Sequence, residues 1–225
     1  MCGRFTLFTP ASRLAEAFLP GEVLSVTPRY NIAPTQPVLA VRPSARAGRR
    51  EFAMPRWGLV PAWSRDAGIG SRLINARAET VSEKPAFRRA FRERRCLVPA
   101  DGFYEWKREG AGKRPFYIRM RDGTPFAFAG IWERWEGIGG ESVETCAILT
   151  TAPNGLLSPI HDRMPLILPP EEYGRWLDPS VRAQETLAPL LRPFPSGPLE
   201  AYPVGRTVNN PLTDGPHCIR PADAG

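Results

Sequence analysis

The stretch Cys96-Leu97-Val98-Pro99-Ala100-Asp101-Gly102-Phe103-Tyr104-Glu105-Trp106-Lys107 contains two predicted strands separated by a turn. Its first three residues are apolar, and residues 99–102 are of the types that favour turns. In the second strand, side chains alternate between the two faces, so Glu105 lies on one face and Tyr104 and Trp106 lie on the other. Glu105 then either faces solvent at a sheet edge or is partly desolvated with a raised pKa. The second state suits a group that transfers protons.

The rest of the chain alternates predicted strands with a few predicted helices and shows no repeat or linker. Strands are predicted over residues 3–8, 38–41, 52–60, 116–120, 125–131, 145–150, 166–168 and 199–204. Helices are predicted from Thr9-Pro10 to Pro20-Gly21, after Pro85, and over residues 171–177 and 181–191. A hairpin with its turn at Asp122-Gly123 is predicted over residues 116–131. A loop bracketed by prolines is predicted over residues 28–34, and a glycine-rich connection over residues 132–140. We therefore predict one strand-rich α+β domain over residues 1–213 and a frayed tail over residues 214–225.

Composition narrows the class of protein. With 225 residues, 42% hydrophobic and 24% charged, the chain is typical of a globular domain. Thirty Lys and Arg against 23 Asp and Glu fit a nucleic-acid partner, although many basic proteins bind none. No leader and no apolar run of about 18 residues is present, so we expect a soluble cytoplasmic protein with no membrane partner. Neither a metal site nor a disulfide framework is indicated by two histidines and four scattered cysteines, Cys2, Cys96, Cys146 and Cys218.

The N-terminal residues Met1-Cys2-Gly3-Arg4-Phe5 place a cysteine directly after the initiator methionine. If Met1 is removed, Cys2 carries an α-amine and a thiol that can close a five-membered ring on one aldehyde carbon. The α-amine titrates near ~7.7–8.0, well below a lysine near ~10.4, so more of it is nucleophilic at neutral pH. The alternative is a chance cysteine in a frayed terminus.

Two further stretches have the residue types of a nucleic-acid site. Trp57 and Trp63 lie among arginines, as in proteins that stack unpaired bases and hold phosphates, although tryptophans are more often core residues. His161 stands beside Asp162 and Arg163 between two prolines, where it is either an acid/base group or a structural histidine.

Six ordered blocks together resemble the SRAP family, the SOS response-associated peptidase-like proteins that shield abasic sites. These blocks are residues 1–5, 30–34, 56–61, 75–80, 102–106 and 161–165. The resemblance implies an open barrel-like sheet core, binding of single-stranded DNA and a role in DNA damage repair. It also implies autoproteolytic removal of Met1, attack of the Cys2 amine on the abasic sugar to give a Schiff base, and ring closure by the thiol to a thiazolidine.

The same resemblance assigns roles to individual residues. Asn75 matches the asparagine that holds the sugar and Cys2, Glu105 the glutamate that moves protons during imine formation, and His161 the histidine that acts on the sugar and reverses the crosslink. DNA contacts are expected at Arg4, Asn31, Trp63, Arg77, Arg163 and Met164. The expected protein is a monomer that needs no cofactor or metal and joins the nucleoid when bound to DNA.

Two other functions stay open at this point. One is a thiol peptidase in which His161 activates Cys2. The other is a non-covalent single-strand-binding module that uses only the arginines and tryptophans, and it predicts equal affinity for intact and abasic strands.

Overall fold

Strands dominate the computed structural model of the chain, which describes residues 2–18, 25–44, 49–110 and 112–222. The strands are β1 (Phe5–Leu7), β2 (Arg29–Ile32), β3 (Ala40–Pro43), β4 (Arg50–Ala53), β5 (Arg56–Trp57), β6 (Asn75–Arg77), β7 (Arg95–Ala100), β8 (Gly102–Glu109), β9 (Gly112–Met120), β10 (Phe126–Glu136), β11 (Ser142–Thr151), β12 (Met164–Pro165), β13 (Ile167–Leu168) and β14 (Leu199–Pro203). The helices are α1 (Ala11–Phe18), α2 (Arg88–Glu93), α3 (Tyr173–Leu177) and α4 (Gln184–Leu187), with short 3-10 turns between elements. No helix in the described ranges is long and apolar enough to cross a membrane.

The strands form two sheets that share one core. The first has the antiparallel order β14-β9-β8-β1-β2. The second follows β12-β11-β10-β7-β3-β4, with β13 beside β10 and with β5 and β6 parallel to β11. Phe5 of the first sheet meets Trp57 and Phe128 of the second, with ring centroids 5.3 and 5.7 Å apart. The predicted β-rich α+β class is confirmed, and Trp57 is a core residue.

The chain passes from one sheet to the other at Asp101, between β7 and β8. The Asp101 carboxylate accepts hydrogen bonds from the backbone N–H groups of Phe8 and Thr9, the latter at 2.8 Å, and from the Thr9 hydroxyl. A Cβ on the next residue, Gly102, would lie 2.4 Å from the Tyr117 ring. The close approach requires glycine there, and the hydrogen bonds to Asp101 hold the end of β1 beside the start of β8. The predicted turn over residues 99–102 is thus a single residue, Asp101, between two strands.

Replacing Asp101 by alanine is expected to lower the free energy of unfolding by about 2–4 kcal/mol, because buried donors lose their acceptor. Urea denaturation measures this loss. Asp122→Ala is the matched control, since the exposed Asp122 carboxylate accepts hydrogen bonds only within its own turn, from Thr124. Equal losses in both variants would contradict the proposed role of Asp101.

The predicted hairpin over residues 116–131 is wrong. β9 pairs with β8 and β14, whereas β10 pairs with β7, β11 and β13, so the two strands lie in different sheets. Pro125 follows the Asp122-Gly123 turn and has no N–H to donate to a ladder. The hairpin of this region joins β8 to β9, where Gly110 has φ +57°.

Three other local predictions also differ from the structure. Residues 29–32 of the predicted loop form β2, because they pair with β1. Residues 132–136 of the predicted connection extend β10, because they pair with residues 142–146 of β11. The helix predicted over residues 181–191 is reduced to α4 and a 3-10 turn. The predicted end of the first helix, Pro20-Gly21, lies outside the described residues.

The C-terminal segment is packed against the body, contrary to the predicted frayed tail. Asp214 accepts hydrogen bonds from the backbone N–H groups of Tyr30 and Asn31 and pairs with Arg29. Cys218 is buried, and Pro221 bridges to β14's neighbour Val204. The prediction is therefore wrong for residues 214–222, while residues 223–225 lie outside the described ranges.

Candidate active site around Cys2

Cys2 is placed by the pairing of β1 with β8. Phe5 lies opposite Phe103, and the Tyr104 N–H donates to the Arg4 carbonyl at 3.0 Å. The residues before Arg4 therefore lie beside the part of β8 that follows Tyr104. Cys2 is fully buried.

Asn75 reaches Cys2 from the other sheet. β6 pairs in parallel with β11, which sets Asn75 opposite Ile148. The Asn75 Nδ2 donates to the Cys2 carbonyl at 2.8 Å. Its buried Oδ1 has no hydrogen-bond partner among the described residues, so this oxygen can accept from an amine or a sugar hydroxyl.

Glu105 is 2% exposed, which matches the desolvated alternative considered from the sequence. Burial raises the pKa of the Glu105 carboxyl to about 7. A carboxyl with this pKa can both donate and accept protons near neutral pH. Burial, and next the charge of Glu105, raise the pKa of the Cys2 thiol well above its usual range.

His161 lies next to Glu105, with its Nε2 3.8 Å from a Glu105 carboxylate oxygen. The Arg163 N–H donates to the His161 Nδ1 at 3.0 Å. The Asp162 carboxylate, 2.9 Å from the same nitrogen, would instead favour a proton on Nδ1. Burial lowers the pKa of His161, so we assign the neutral ring with its proton on Nε2, facing Glu105. The four predicted catalytic residues therefore lie in one cluster, which we call the Cys2 site.

The expected DNA contacts differ in their exposure. Trp63 is 63% exposed, and Arg77 is exposed at the end of β6. Arg163 is more enclosed, because its guanidinium donates to both Glu79 carboxylate oxygens, at 2.7 and 2.8 Å, and to the Thr150 carbonyl at 2.7 Å. Among the expected DNA contacts, Trp63 and Arg77 are therefore the two whose side chains are exposed.

Asn31 and Met164 are fully buried, so the expectation that they contact DNA is wrong for both. The Asn31 amide donates to carbonyls of the 208–213 segment, and its Oδ1 accepts from Arg4 at 2.8 Å. Arg4 also donates to the carbonyls of Val208 and Asn209. Asn31 and Arg4 therefore hold the segment over β1 and β2. The segment includes Val208-Asn209-Asn210-Pro211, whose residue types favour a turn, but these types do not reveal that Arg4 and Asn31 are its partners.

We expect Asn31→Ala to lower the free energy of unfolding by about 2–4 kcal/mol, because buried polar groups lose their partners. Arg77→Ala should leave stability within about 0.5 kcal/mol, since an exposed side chain is removed. Thermal unfolding measures both. A larger loss for Arg77→Ala than for Asn31→Ala would overturn this assignment.

A groove of about 550 Å³ opens beside His161, between residues 158–162 and the end of the β8–β9 hairpin. It is lined on the hairpin side by Trp106 and by three basic residues, Lys107, Arg108 and Lys113. Basic pairs flank the hairpin turn in the sequence, but none of these four residues was predicted to contact DNA. We call this feature the hairpin groove.

The side chains of the Cys2 site do not form a set of metal ligands. The described residues include no cluster of three or more His, Cys, Asp or Glu side chains suited to a metal ion. All four cysteines are free and buried. The groups that the site presents are an amide, a carboxyl, an imidazole and a thiol.

Comparison with known proteins gives consistent matches along the chain. Residues 1–211 match the family model described as SOS response associated peptidase (SRAP). The chain is 43% identical to the abasic site processing protein YoqW of Bacillus subtilis, over 97% of this chain and 99% of that protein. It is 33% identical to the abasic site processing protein HMCES of Mus musculus, over 87% of this chain and 65% of that protein. An X-ray structure of a protein from Bacteroides thetaiotaomicron superposes with a TM-score of 0.86 at 31% identity, covering 98% and 100% of the two chains.

Proposed function

The chain belongs to the SRAP family, and we propose that it processes abasic sites in DNA by capturing the lesion covalently through Cys2. The relatives named above as abasic site processing proteins support the general role. The covalent step rests on one observation: Cys2 is held by Asn75 beside Glu105, a carboxyl whose pKa of about 7 lets it move protons at neutral pH.

The first step is removal of Met1, which lies outside the described residues. Water adds across the Met1–Cys2 peptide bond, methionine leaves, and the α-amine of Cys2 is freed. The amine then attacks C1′ of the ring-opened abasic sugar, which is an aldehyde, and forms a carbinolamine. A proton from the Glu105 carboxyl lets the hydroxyl leave as water, and an imine remains.

The second step closes the ring. The Cys2 thiol adds across the imine, so that sulfur bonds to C1′ and the nitrogen gains a proton. Glu105, which recovers its proton from the nitrogen as the imine forms, gives that proton to the imine nitrogen and takes the thiol proton in its place. The product is a thiazolidine, and capture of the aldehyde releases one water with no oxidation or reduction. Thiol addition is intramolecular, which compensates for the raised pKa of the thiol.

Asn75 and His161 are assigned to holding the sugar. The Asn75 Oδ1 is placed to accept a hydrogen bond from the amine or from a sugar hydroxyl while its Nδ2 holds the Cys2 carbonyl. The Nε2 proton of neutral His161 can be donated to a sugar oxygen, and Glu105 can then restore it. The same transfers in reverse would release the crosslink.

Single-stranded DNA is the proposed partner, bound by a monomer. Exposed Trp63 can stack on a base beside the lesion, and Arg77 can hold a phosphate. An abasic nucleotide has no base to extrude, which favours damaged over intact strand.

A peptidase that acts on other proteins is less well supported. Such an enzyme needs a thiolate, and burial raises the pKa of the Cys2 thiol. We therefore confine peptide cleavage to the removal of Met1.

The test uses the purified protein and a single-stranded oligonucleotide with one abasic site. We expect a heat-stable adduct whose mass is the sum of Met1-free protein and oligonucleotide, less one water. The intact oligonucleotide should give none. If the abasic strand gives no adduct with protein of the Met1-free mass, the proposed function fails. Equal binding of intact and abasic strands, with no adduct, would support the non-covalent alternative.

A further inference from the structure

The hairpin groove begins at the Cys2 site. β1 pairs with β8 only at Gly102 and Phe103, so within the described residues β8 beyond Trp106 has a strand partner on the β9 side alone. Residues of β8 and β9 line one side of the groove and the 158–162 loop lines the other, with His161 next to Glu105.

The charge of this groove is mainly positive. Arg108 lies opposite Lys113 in the hairpin ladder, and both side chains are exposed. None of the three basic residues forms an ion pair within the described part of the chain. Burial is the main cause of the lowered pKa of His161, and the charge of Lys113 is near enough to be a minor one. Asp162 is the acidic side chain in the lining, so cations outnumber it three to one.

The groove lies on a different flank of the site from the expected DNA contacts. Arg163 points to Glu79 and Thr150, on the side of β6 where Arg77 is exposed. His161, two residues earlier, points to Glu105 of β8. A strand whose lesion sugar lies at Cys2 therefore leaves the site on two flanks, and the proposed phosphate contact at Arg77 serves only one of them.

We propose that the hairpin groove binds the phosphodiester backbone of the nucleotides on the second side of the lesion. Lys107, Arg108 and Lys113 hold the phosphates, and Lys107 lies nearest in sequence to Glu105. The contacts are to phosphate, so they add affinity without sequence preference. This inference rests on the proposed function, because it extends the same site.

The test compares the double variant Arg108→Glu/Lys113→Glu with the wild type. Both side chains are exposed, so the fold is expected to be kept. The control is Arg13→Glu/Arg175→Glu, which makes the same change in net charge on α1 and α3, two helices joined by the stacked rings of Phe18 and Tyr173. Crosslinking rates are measured at protein concentrations below saturation on three oligonucleotides. One has nucleotides on both sides of the abasic site, one only on the 5′ side, and one only on the 3′ side.

On the two-sided oligonucleotide we expect the hairpin variant to crosslink at least about tenfold more slowly than the control. The slope of the logarithm of the binding constant against the logarithm of the salt concentration should become shallower by about 0.7 for each phosphate that the variant no longer holds. On the truncated oligonucleotides, the defect should persist with one and vanish with the other. A rate equal to that of the control, or an equal defect on both truncated oligonucleotides, would contradict the proposed role of the groove in binding phosphates. Absence of any wild-type adduct would instead refute the proposed function.

Discussion

Cys2→Ser is expected to abolish the heat-stable adduct while leaving the imine intact. Serine keeps the α-amine, so attack on C1′ and loss of water still proceed. Its hydroxyl is a far weaker nucleophile than a thiol, so closure to a stable ring should fall by at least about a hundredfold. Treatment with borohydride, which reduces an imine, should therefore trap variant and wild type to similar extents. Without borohydride, only the wild type should give an adduct that survives heating.

The controls for this experiment distinguish the role of the Cys2 amine from that of the Cys2 thiol. Cys218→Ser removes another buried thiol and should crosslink like the wild type. Intact mass must show that Met1 has left the variant, because an acylated amine cannot form an imine. A heat-stable adduct of normal yield from Met1-free Cys2→Ser protein would contradict thiazolidine closure. Failure of borohydride trapping in the wild type would contradict the imine.

Local patterns in the sequence predicted which segments form strands better than which strands pair. The alternation in residues 103–107 correctly separated Glu105 from Tyr104 and Trp106, because strand geometry alone fixes it. The hairpin through Asp122-Gly123 failed because a turn can also send the chain to another sheet. Pairing depends on contacts between distant residues, such as those of β8 with β1, which a local window does not contain.

The cluster at Cys2 was predictable as a set of residue types, with help from the family resemblance, but its electrostatics were not. The sequence left open whether Glu105 faces solvent, and burial decides this. The family resemblance led us to expect Asn31 and Met164 on the DNA surface, and neither residue type reveals whether the backbone carries the side chain inward. Arg163 was expected to be free for phosphate, yet Glu79 holds it through two hydrogen bonds.

Glu105→Gln is expected to slow crosslinking by about a hundredfold or more, because the amide can neither give nor take the protons of imine formation. The same change should stabilise the fold at pH 8. The pKa of Glu105 is raised from 4.5 in the unfolded chain to about 7 in the folded one, so the folded state binds the extra proton between these values. Wild-type stability therefore falls as pH rises through this window, and glutamine removes that loss.

The stabilisation is expected to be about 1–3 kcal/mol at pH 8 and to vanish near pH 4, where both side chains are uncharged. Urea denaturation of variant and wild type across this pH range measures it. Glu79→Gln is the matched control of opposite sign, because the bonds from Arg163 lower the pKa of Glu79 and make its charge favourable. That variant should lose stability at pH 8 and keep it at low pH. A Glu105→Gln protein that is less stable than the wild type at pH 8 would show that the carboxylate is stabilised in the folded site, and Glu105 would then not be poised to move protons.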